Sequence, residues 1–113
     1  MAQDWKAMAH DVVQKGVTLY KASPKVLGAF GELATAATAD GALTKKTKEL
    51  MAVAISIVDR CEPCVAYHTQ AAIKAGAGRD EFVETVNVAV EMGGGPATVY
   101  GARALEAFDA LSA

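Results

Sequence analysis

Four side chains capable of chemistry lie in one short stretch near the middle of the chain. Cys61 and Cys64 form a C-x-x-C pair, and His68 follows four residues after the second cysteine. Glu49 precedes the first cysteine by twelve positions. Two cysteines at this spacing can form a reversible disulfide, and a histidine with a carboxylic acid can move protons at a reacting thiol. The pattern E-x11-C-x2-C-x3-H therefore predicts a dithiol active site.

A predicted helix over residues 62–75 positions three of these groups. Pro63 lies in its first turn, where the missing N–H costs little. At about 100° per residue, Cys61, Cys64 and His68 share one face of such a helix. Unpaired N–H groups and the helix dipole favour a thiolate in the first turn. His68, one turn after Cys64, is placed to take the thiol proton.

Two arguments disagree about which thiol attacks a substrate. Position at the helix start favours Cys61, the expected N-cap residue. Proximity to His68 favours Cys64, because the histidine would serve it as a base. We favour Cys64 as the nucleophile, with Cys61 as its resolving partner.

Other interpretations of the same residues are a pair of small core cysteines and a zinc site. The zinc site would use Cys61, Cys64, His68 and Glu49 as ligands. Structural zinc sites usually draw two separate pairs of ligands from two loops, and the chain has no second C-x-x-C and no H-x-x-x-H. We therefore expect no metal.

Set in an alanine-rich chain, the motif resembles the alkylhydroperoxidase AhpD-like branch of the carboxymuconolactone decarboxylase family. The resemblance covers roughly residues 25–110 and includes the segment CEPCVAYHTQAAIKAGAGRDEFVETVNVAVEMGGGPATVYGARALEAF. It implies one domain over residues 1–113, with an all-α fold of about six helices and a central antiparallel pair carrying the active site. It also implies that the cysteine pair is the redox group, that no cofactor is bound, and that the catalytic residues are Cys61, Cys64, His68 and Glu49.

The resemblance further implies an activity and partners. It indicates a thiol–disulfide oxidoreductase or an alkylhydroperoxidase-type enzyme, with a hydroperoxide or a disulfide as substrate. The reductant would be a lipoyl group, a thioredoxin-like protein or a small thiol, and family members assemble as trimers or hexamers. Two alternatives stay open. One is a decarboxylase or isomerase of a small lactone acid, using His68 and Glu49 as acid and base. The other is a non-catalytic oligomeric redox-sensing module.

Composition narrows the class of protein. With 113 residues, 52% of them hydrophobic and only 6% aromatic, the chain is expected to form one domain of closely packed helices. Because a chain of this length cannot bury this much apolar surface alone, we expect a homo-oligomer, most simply a hexamer. A net charge of −2 argues against nucleic acid and anionic membranes as partners. The polar start MAQDWK is unlike a signal peptide, and we expect a cytoplasmic protein.

Cap residues and hydrophobic periodicity predict the elements around the site. Asp4 and Ser23 are expected N-caps of the first two helices, which end near residues 21 and 37. Thr44 is expected to cap a third helix that ends near residue 59, and further helices are expected to open at Arg79 and Pro96. Trp5 is expected to anchor the core or an interface.

Three side-chain environments also follow from the pattern. The run LMAVAISIV, residues 50–58, is apolar almost all round and predicts a helix buried on every side, with Glu49 at its edge. Phe30 is interpreted mainly as a core residue, although the family resemblance would alternatively place it at the substrate entrance. The basic group Lys45, Lys46 and Lys48 is interpreted as a solvated face. His10 is interpreted as a surface or hydrogen-bonded histidine with no catalytic role.

Overall fold

The computed structural model describes residues 3–113, and this part of the chain forms six α-helices and no strand. The helices are α1 Trp5–Ala22, α2 Pro24–Thr38, α3 Lys45–Val58, α4 Glu62–Lys74, α5 Arg79–Gly93 and α6 Gly95–Ser112. The predicted all-α fold of about six helices is therefore confirmed. None of the helices in residues 3–113 is long and apolar enough to cross a membrane.

Polar caps place the helix starts where the sequence predicts them. The Asp4 carboxylate accepts a hydrogen bond from the Ala7 N–H, and the Thr44 hydroxyl accepts one from the Thr47 N–H. Each cap satisfies a backbone donor that the helix itself leaves unpaired. Ser23 occupies the N-cap position of α2 without a side-chain hydrogen bond, and Pro24 follows it as the first helical residue.

Helices α3 and α4 form the predicted central antiparallel pair. They are joined by only three residues, 59–61, and they pack against each other so that Glu49 near the start of α3 meets His68 in the middle of α4. Val53 and Ile57 of α3, with Val65 and Ala66 of α4, are at most 1% exposed and form the centre of the core. α5 and α6 pack against this pair, while α1 covers part of α4.

Trp5 anchors α1 in the core, as expected. Its side chain is 1% exposed, and its indole Nε1–H donates to Glu106 Oε1 of α6 at 3.1 Å. The guanidinium of Arg103 lies 5.5 Å from the centre of the indole ring. A buried indole thus has both a partner for its N–H and a cation over its face.

Two burial predictions are wrong. Phe30 is 62% exposed, and α2 buries none of its residues within this chain. α3 is not buried on every side, because Met51 and Ile55 are 49% and 60% exposed. Hydrophobic periodicity shows that a helix face is apolar, but it does not show whether the same chain supplies the surface that covers it.

Candidate active site

Cys61 and Cys64 are joined by a disulfide at the start of α4, with their Cα atoms 5.2 Å apart. Cys61 is the N-cap residue of α4, and its Sγ atom accepts a hydrogen bond from the Cys64 N–H at 3.3 Å. The first turn of the helix therefore holds both sulfur atoms, and one of its backbone N–H groups donates directly to a sulfur. This environment stabilises a thiolate after reduction.

The end of α3 sets the position of Cys61. The Cys61 N–H donates to the Ser56 carbonyl at 3.1 Å, and the Arg60 N–H donates to the Ile57 carbonyl at 3.1 Å. Arg60 has a φ of 59°, in the left-handed region that glycine usually occupies at a helix C-terminus. A tight C-terminal cap on α3 thus leads directly into the redox pair.

Glu49 and His68 meet across the α3–α4 interface. The His68 Nδ1 atom lies 2.8 Å from Glu49 Oε1, and Glu49 is only 4% exposed. Because an ionised carboxylate can only accept, Nδ1 is the donor in this contact. The neutral imidazole then carries its free lone pair on Nε2. This arrangement prepares Nε2 to take a proton.

Lys45 holds the other oxygen of the same carboxylate. Its ammonium lies 3.2 Å from Glu49 Oε2 and 3.4 Å from the hydroxyl of Thr38, at the end of α2. The basic group is solvated as interpreted from the sequence, since the Lys45 side chain is 51% exposed, but each ammonium also has a partner. Lys46 pairs with Glu81 at 2.9 Å, and Lys48 donates to the Ala39 carbonyl at 2.6 Å. The i, i+4 spacing of Lys45 and Glu49 was the signal for this pair.

A groove of about 640 Å³ opens beside Cys64, between α1, α2 and α4. Cys64 and His68 line it, and the side chains around them are mostly apolar: Val12, Val13, Gly16, Val17, Tyr20, Phe30, Ala34, Pro63 and Tyr67. The volume is in the range of ligand pockets, about 300–1,000 Å³. A ligand in the groove would therefore meet Cys64 together with His68.

A second cavity of about 390 Å³ adjoins the groove on the side of the acid. Lys45, Glu49, Tyr67 and His68 line it, and the last two also line the groove. The rings of Tyr67 and His68 meet edge to face, with centroids 5.1 Å apart. Sequence analysis did not single out Tyr67, because an exposed tyrosine one residue before the histidine carries no motif of its own.

An ion pair fixes the start of α4 against α6. The Glu62 carboxylate, directly after Cys61, accepts two hydrogen bonds from the Arg103 guanidinium, one of them from Nη2 at 3.2 Å. The hydrogen bond to Glu62 raises the pKa of Arg103, which remains a cation. The bidentate geometry restrains the first turn of α4 and so restrains the cysteine pair.

The structure thus places the four predicted residues as a series along α4, from Cys61 at its N-cap to His68 in its middle, where Glu49 of α3 meets it. Glu49 contacts His68, His68 shares the groove with Cys64, and Cys64 is bonded to Cys61. Among the residues that the structure describes, no three His, Cys, Asp or Glu side chains are grouped to hold a metal ion. His10 lies on the exposed side of α1.

The all-helical chain thus carries a disulfide at the turn of its central hairpin and a hydrogen-bonded acid–histidine pair farther along the same two helices. Residues 24–107 match the model of the carboxymuconolactone decarboxylase family. The chain belongs to this family, as the motif suggested.

Relatives of known sequence and structure agree with this assignment. An uncharacterized protein of Cupriavidus necator is 38% identical over 113 residues, the full length of both chains. A carboxymuconolactone decarboxylase family protein from Legionella pneumophila has a TM-score of 0.94 at 41% identity, covering 99% of this chain and 100% of its own. A family protein from Thermotoga maritima has a TM-score of 0.83 at 27% identity, covering 92% of this chain and 89% of its own.

Proposed function

We propose that the protein is a thiol–disulfide oxidoreductase of the alkylhydroperoxidase type, which cycles Cys61 and Cys64 between dithiol and disulfide. The observation that carries the proposal is the placement of Cys64 and His68 on one groove, with His68 hydrogen-bonded to the buried Glu49. A nucleophile, a base and a group that orients the base are thus arranged in order. The Thermotoga relative has been suggested to take part in an antioxidative response, which supports a redox function.

In the oxidative half-reaction, the Cys64 thiolate attacks the terminal oxygen of a hydroperoxide. An S–O bond forms, the O–O bond breaks, and the leaving alkoxide takes a proton to become an alcohol. The Cys61 thiol then attacks the sulfenic sulfur, which releases water and forms the Cys61–Cys64 disulfide. The peroxide is reduced by two electrons and the cysteine pair is oxidised by two. A disulfide substrate would be reduced by thiol exchange at the same atoms.

In the reductive half-reaction, a dithiol reductant opens the Cys61–Cys64 bond through a mixed disulfide. The reductant leaves as a disulfide, and two protein thiols are restored. A lipoyl group, a thioredoxin-like protein or a small thiol satisfies this chemistry. His68 takes the proton of the attacking thiol and returns it to the leaving group, while Glu49 stabilises the imidazolium.

We also expect the chain to work as a homo-oligomer, either a trimer or a hexamer, in the cytoplasm. Large apolar side chains are exposed on two separate faces, one formed by α1 and α2 and the other by α3 and α5. Monomeric proteins rarely expose contiguous apolar patches of this kind. A reducing compartment would keep the cysteine pair available for turnover rather than locked as a disulfide.

Peroxide consumption with dihydrolipoamide tests the proposal. We expect turnover by the wild-type protein and its loss in both Cys61→Ser and Cys64→Ser. Peroxide turnover that persists without either cysteine would contradict the mechanism. Cysteine-independent conversion of a lactone acid would support the decarboxylase alternative instead, and absence of turnover with every dithiol would support the redox-sensing module.

A further inference from the structure

Within residues 3–113, Lys45 is the one lysine or arginine in direct contact with the buried carboxylate of the acid–histidine pair. Its Nζ atom lies 3.2 Å from Glu49 Oε2, while His68 Nδ1 lies 2.8 Å from Oε1. The Glu49 side chain is 5% exposed, but that of Lys45 is 51% exposed. The carboxylate therefore has a separate partner for each oxygen, and one of the two partners reaches it from solvent.

We propose that Lys45 is a positioning residue for the dithiol reaction, which holds Glu49 as an oriented carboxylate so that His68 presents its unprotonated Nε2 to the cysteine pair. The inference deepens the proposed function and rests on it for its catalytic meaning. The geometry at Glu49 exists whether or not the protein turns over a peroxide.

The structure gives Lys45 a defined position. Its backbone N–H donates to Asp40 Oδ1 at 2.6 Å at the start of α3. Its ammonium then reaches Glu49 one turn later and also lies 3.4 Å from the Thr38 hydroxyl at the end of α2. Lys45 is therefore held from both its backbone and its head group.

Other ionisable groups near the carboxylate are few. From α4, His68 contacts Glu49, and Tyr67 and Lys74 line the cavities around it. The α2 and loop residues in these cavities are Ala34, Thr35, Thr38 and Ala39, none of them charged. Lys48 directs its ammonium to the Ala39 carbonyl instead. Among these groups, only Lys45 neutralises Glu49 by direct contact.

This arrangement determines whether loss of Lys45 raises or lowers the pH at which the thiolate forms. A buried carboxylate that loses its cation is a better acceptor for a proton. Once protonated, Glu49 no longer stabilises the imidazolium that forms when His68 takes the thiol proton. Loss of a positive charge near the site also disfavours the thiolate directly. Both effects require a higher pH for the same extent of thiolate formation.

The first test is the pH profile of iodoacetamide labelling at Cys64 in the reduced protein. We expect Lys45→Met to move the midpoint to higher pH and to slow labelling below it by about threefold to tenfold. Lys45→Arg, which retains the cation, should stay near wild type. Lys48→Met removes the same net charge three residues away without touching Glu49, so its profile should match wild type.

The second test is long-range ¹H–¹⁵N NMR of the imidazole rings, which distinguishes the two tautomers. The chain has only two histidines, so exposed His10 is an internal reference. We expect His68 to carry its proton on Nδ1 in the wild type and to lose this preference in Lys45→Met, with His10 unchanged. This measurement works on the oxidised protein and needs no turnover.

An unchanged His68 spectrum in Lys45→Met would overturn the inference, as would a labelling profile that is unchanged or moves to lower pH. A wild-type protein that fails to consume peroxide would instead overturn the proposed function and leave the NMR result intact. The two failures are therefore distinguishable.

Discussion

At the scale of single residues, the site depends on how one buried carboxylate is paired. Glu49 would be costly to bury as an isolated charge, but Lys45 and His68 each bind one of its oxygens. Removal of one partner of a buried pair usually costs more than the pair contributes, because the other charge is left uncompensated. The burial of Glu49 with two partners is therefore consistent with the role that we propose for it.

We predict that Glu49→Gln and His68→Gln each slow disulfide turnover by roughly tenfold or more, because general acid–base groups typically contribute about 10²–10⁴-fold in rate. A glutamine at position 49 can still accept from Nδ1–H, but it cannot stabilise an imidazolium. Turnover with dihydrolipoamide and circular dichroism should be measured together, with His10→Gln as the control. Rates equal to wild type with intact helicity would make both residues structural.

We predict that mild peroxide treatment of the reduced protein forms the Cys61–Cys64 disulfide within one chain. The helical first turn already holds the two Cα atoms 5.2 Å apart, within the usual range of about 4.4–6.8 Å. Intact-mass spectrometry should show a loss of two hydrogens and no covalent dimer. Exclusive formation of disulfides between chains would be the contrary result.

The site was predictable in part because its chemistry lies in a contiguous motif. Cys61, Cys64 and His68 share a helix face, so spacing alone brings them together. The contact of His68 with Glu49 requires the α3–α4 hairpin, which the family resemblance supplied. Lys45 was missed because three neighbouring lysines look alike in sequence, and only the folded chain directs each one to a different acceptor.

At the scale of elements, α3 and α4 end in the same kind of cap with different residues. In α4, Gly76 has a φ of 98° and the Ala77 N–H donates to the Ala72 carbonyl. In α3, Arg60 has a φ of 59° and the Cys61 N–H donates to the Ser56 carbonyl. Glycine adopts this conformation freely, whereas arginine does so at a cost. The chain therefore carries backbone strain one residue before its redox pair.

We predict that Arg60→Val lowers the free energy of unfolding by about 1–2 kcal/mol, because a β-branched residue is especially unfavourable at positive φ. Arg60→Gly should not destabilise the protein, since glycine relieves the same strain. Urea denaturation of both variants measures the difference. Equal stability of the valine and glycine variants would show that the turn is not strained.

Close packing of α5 against α6 gives a second prediction at this scale. A Cβ atom added at Gly101 would lie 2.8 Å from Val86 Cγ1, whereas one added at Gly16 would meet nothing within 4 Å. Gly101→Ala should lower the free energy of unfolding by about 1–3 kcal/mol through overpacking. Gly16→Ala, in the middle of α1, should raise it by about 0.5–1 kcal/mol. Thermal or urea denaturation measures both variants. A change of the same sign in the free energy of unfolding for Gly101→Ala and Gly16→Ala would contradict the packing argument.

At the scale of the whole molecule, the distribution of apolar surface differs from what periodicity suggests. α2 has an apolar stripe, yet its residues Val26, Phe30 and Leu33 are each more than 60% exposed. Sequence patterns identified the stripe correctly, but a single chain does not contain the surface that would cover it. The same holds for the outer side of α3, where Met51 and Ile55 are exposed. Phe30 lines the groove beside Cys64, and the other exposed side chains lie where the proposed assembly of copies would complete burial.

The outer face of α3 and α5 offers the clearest test of assembly. Ile55 and Val88 are each 60% exposed, and Met92 is 73% exposed. They line adjoining shallow cavities whose walls are almost entirely apolar. Burial of such side chains contributes about 1.5–3 kcal/mol each, so even a few of them can stabilise contact between copies.

We predict that the wild-type protein is a stable oligomer, most simply a hexamer, and that Val88→Glu shifts it to smaller species. A carboxylate at position 88 would have to be desolvated without a partner at the centre of this apolar face. Asn87→Glu adds the same charge one residue earlier on α5, at an exposed position that points elsewhere, and should leave the assembly intact. Multi-angle light scattering at micromolar concentration should separate these cases. A wild-type mass equal to the 11.7 kDa monomer would refute the assembly, while equal effects of the two glutamates would place the interface elsewhere.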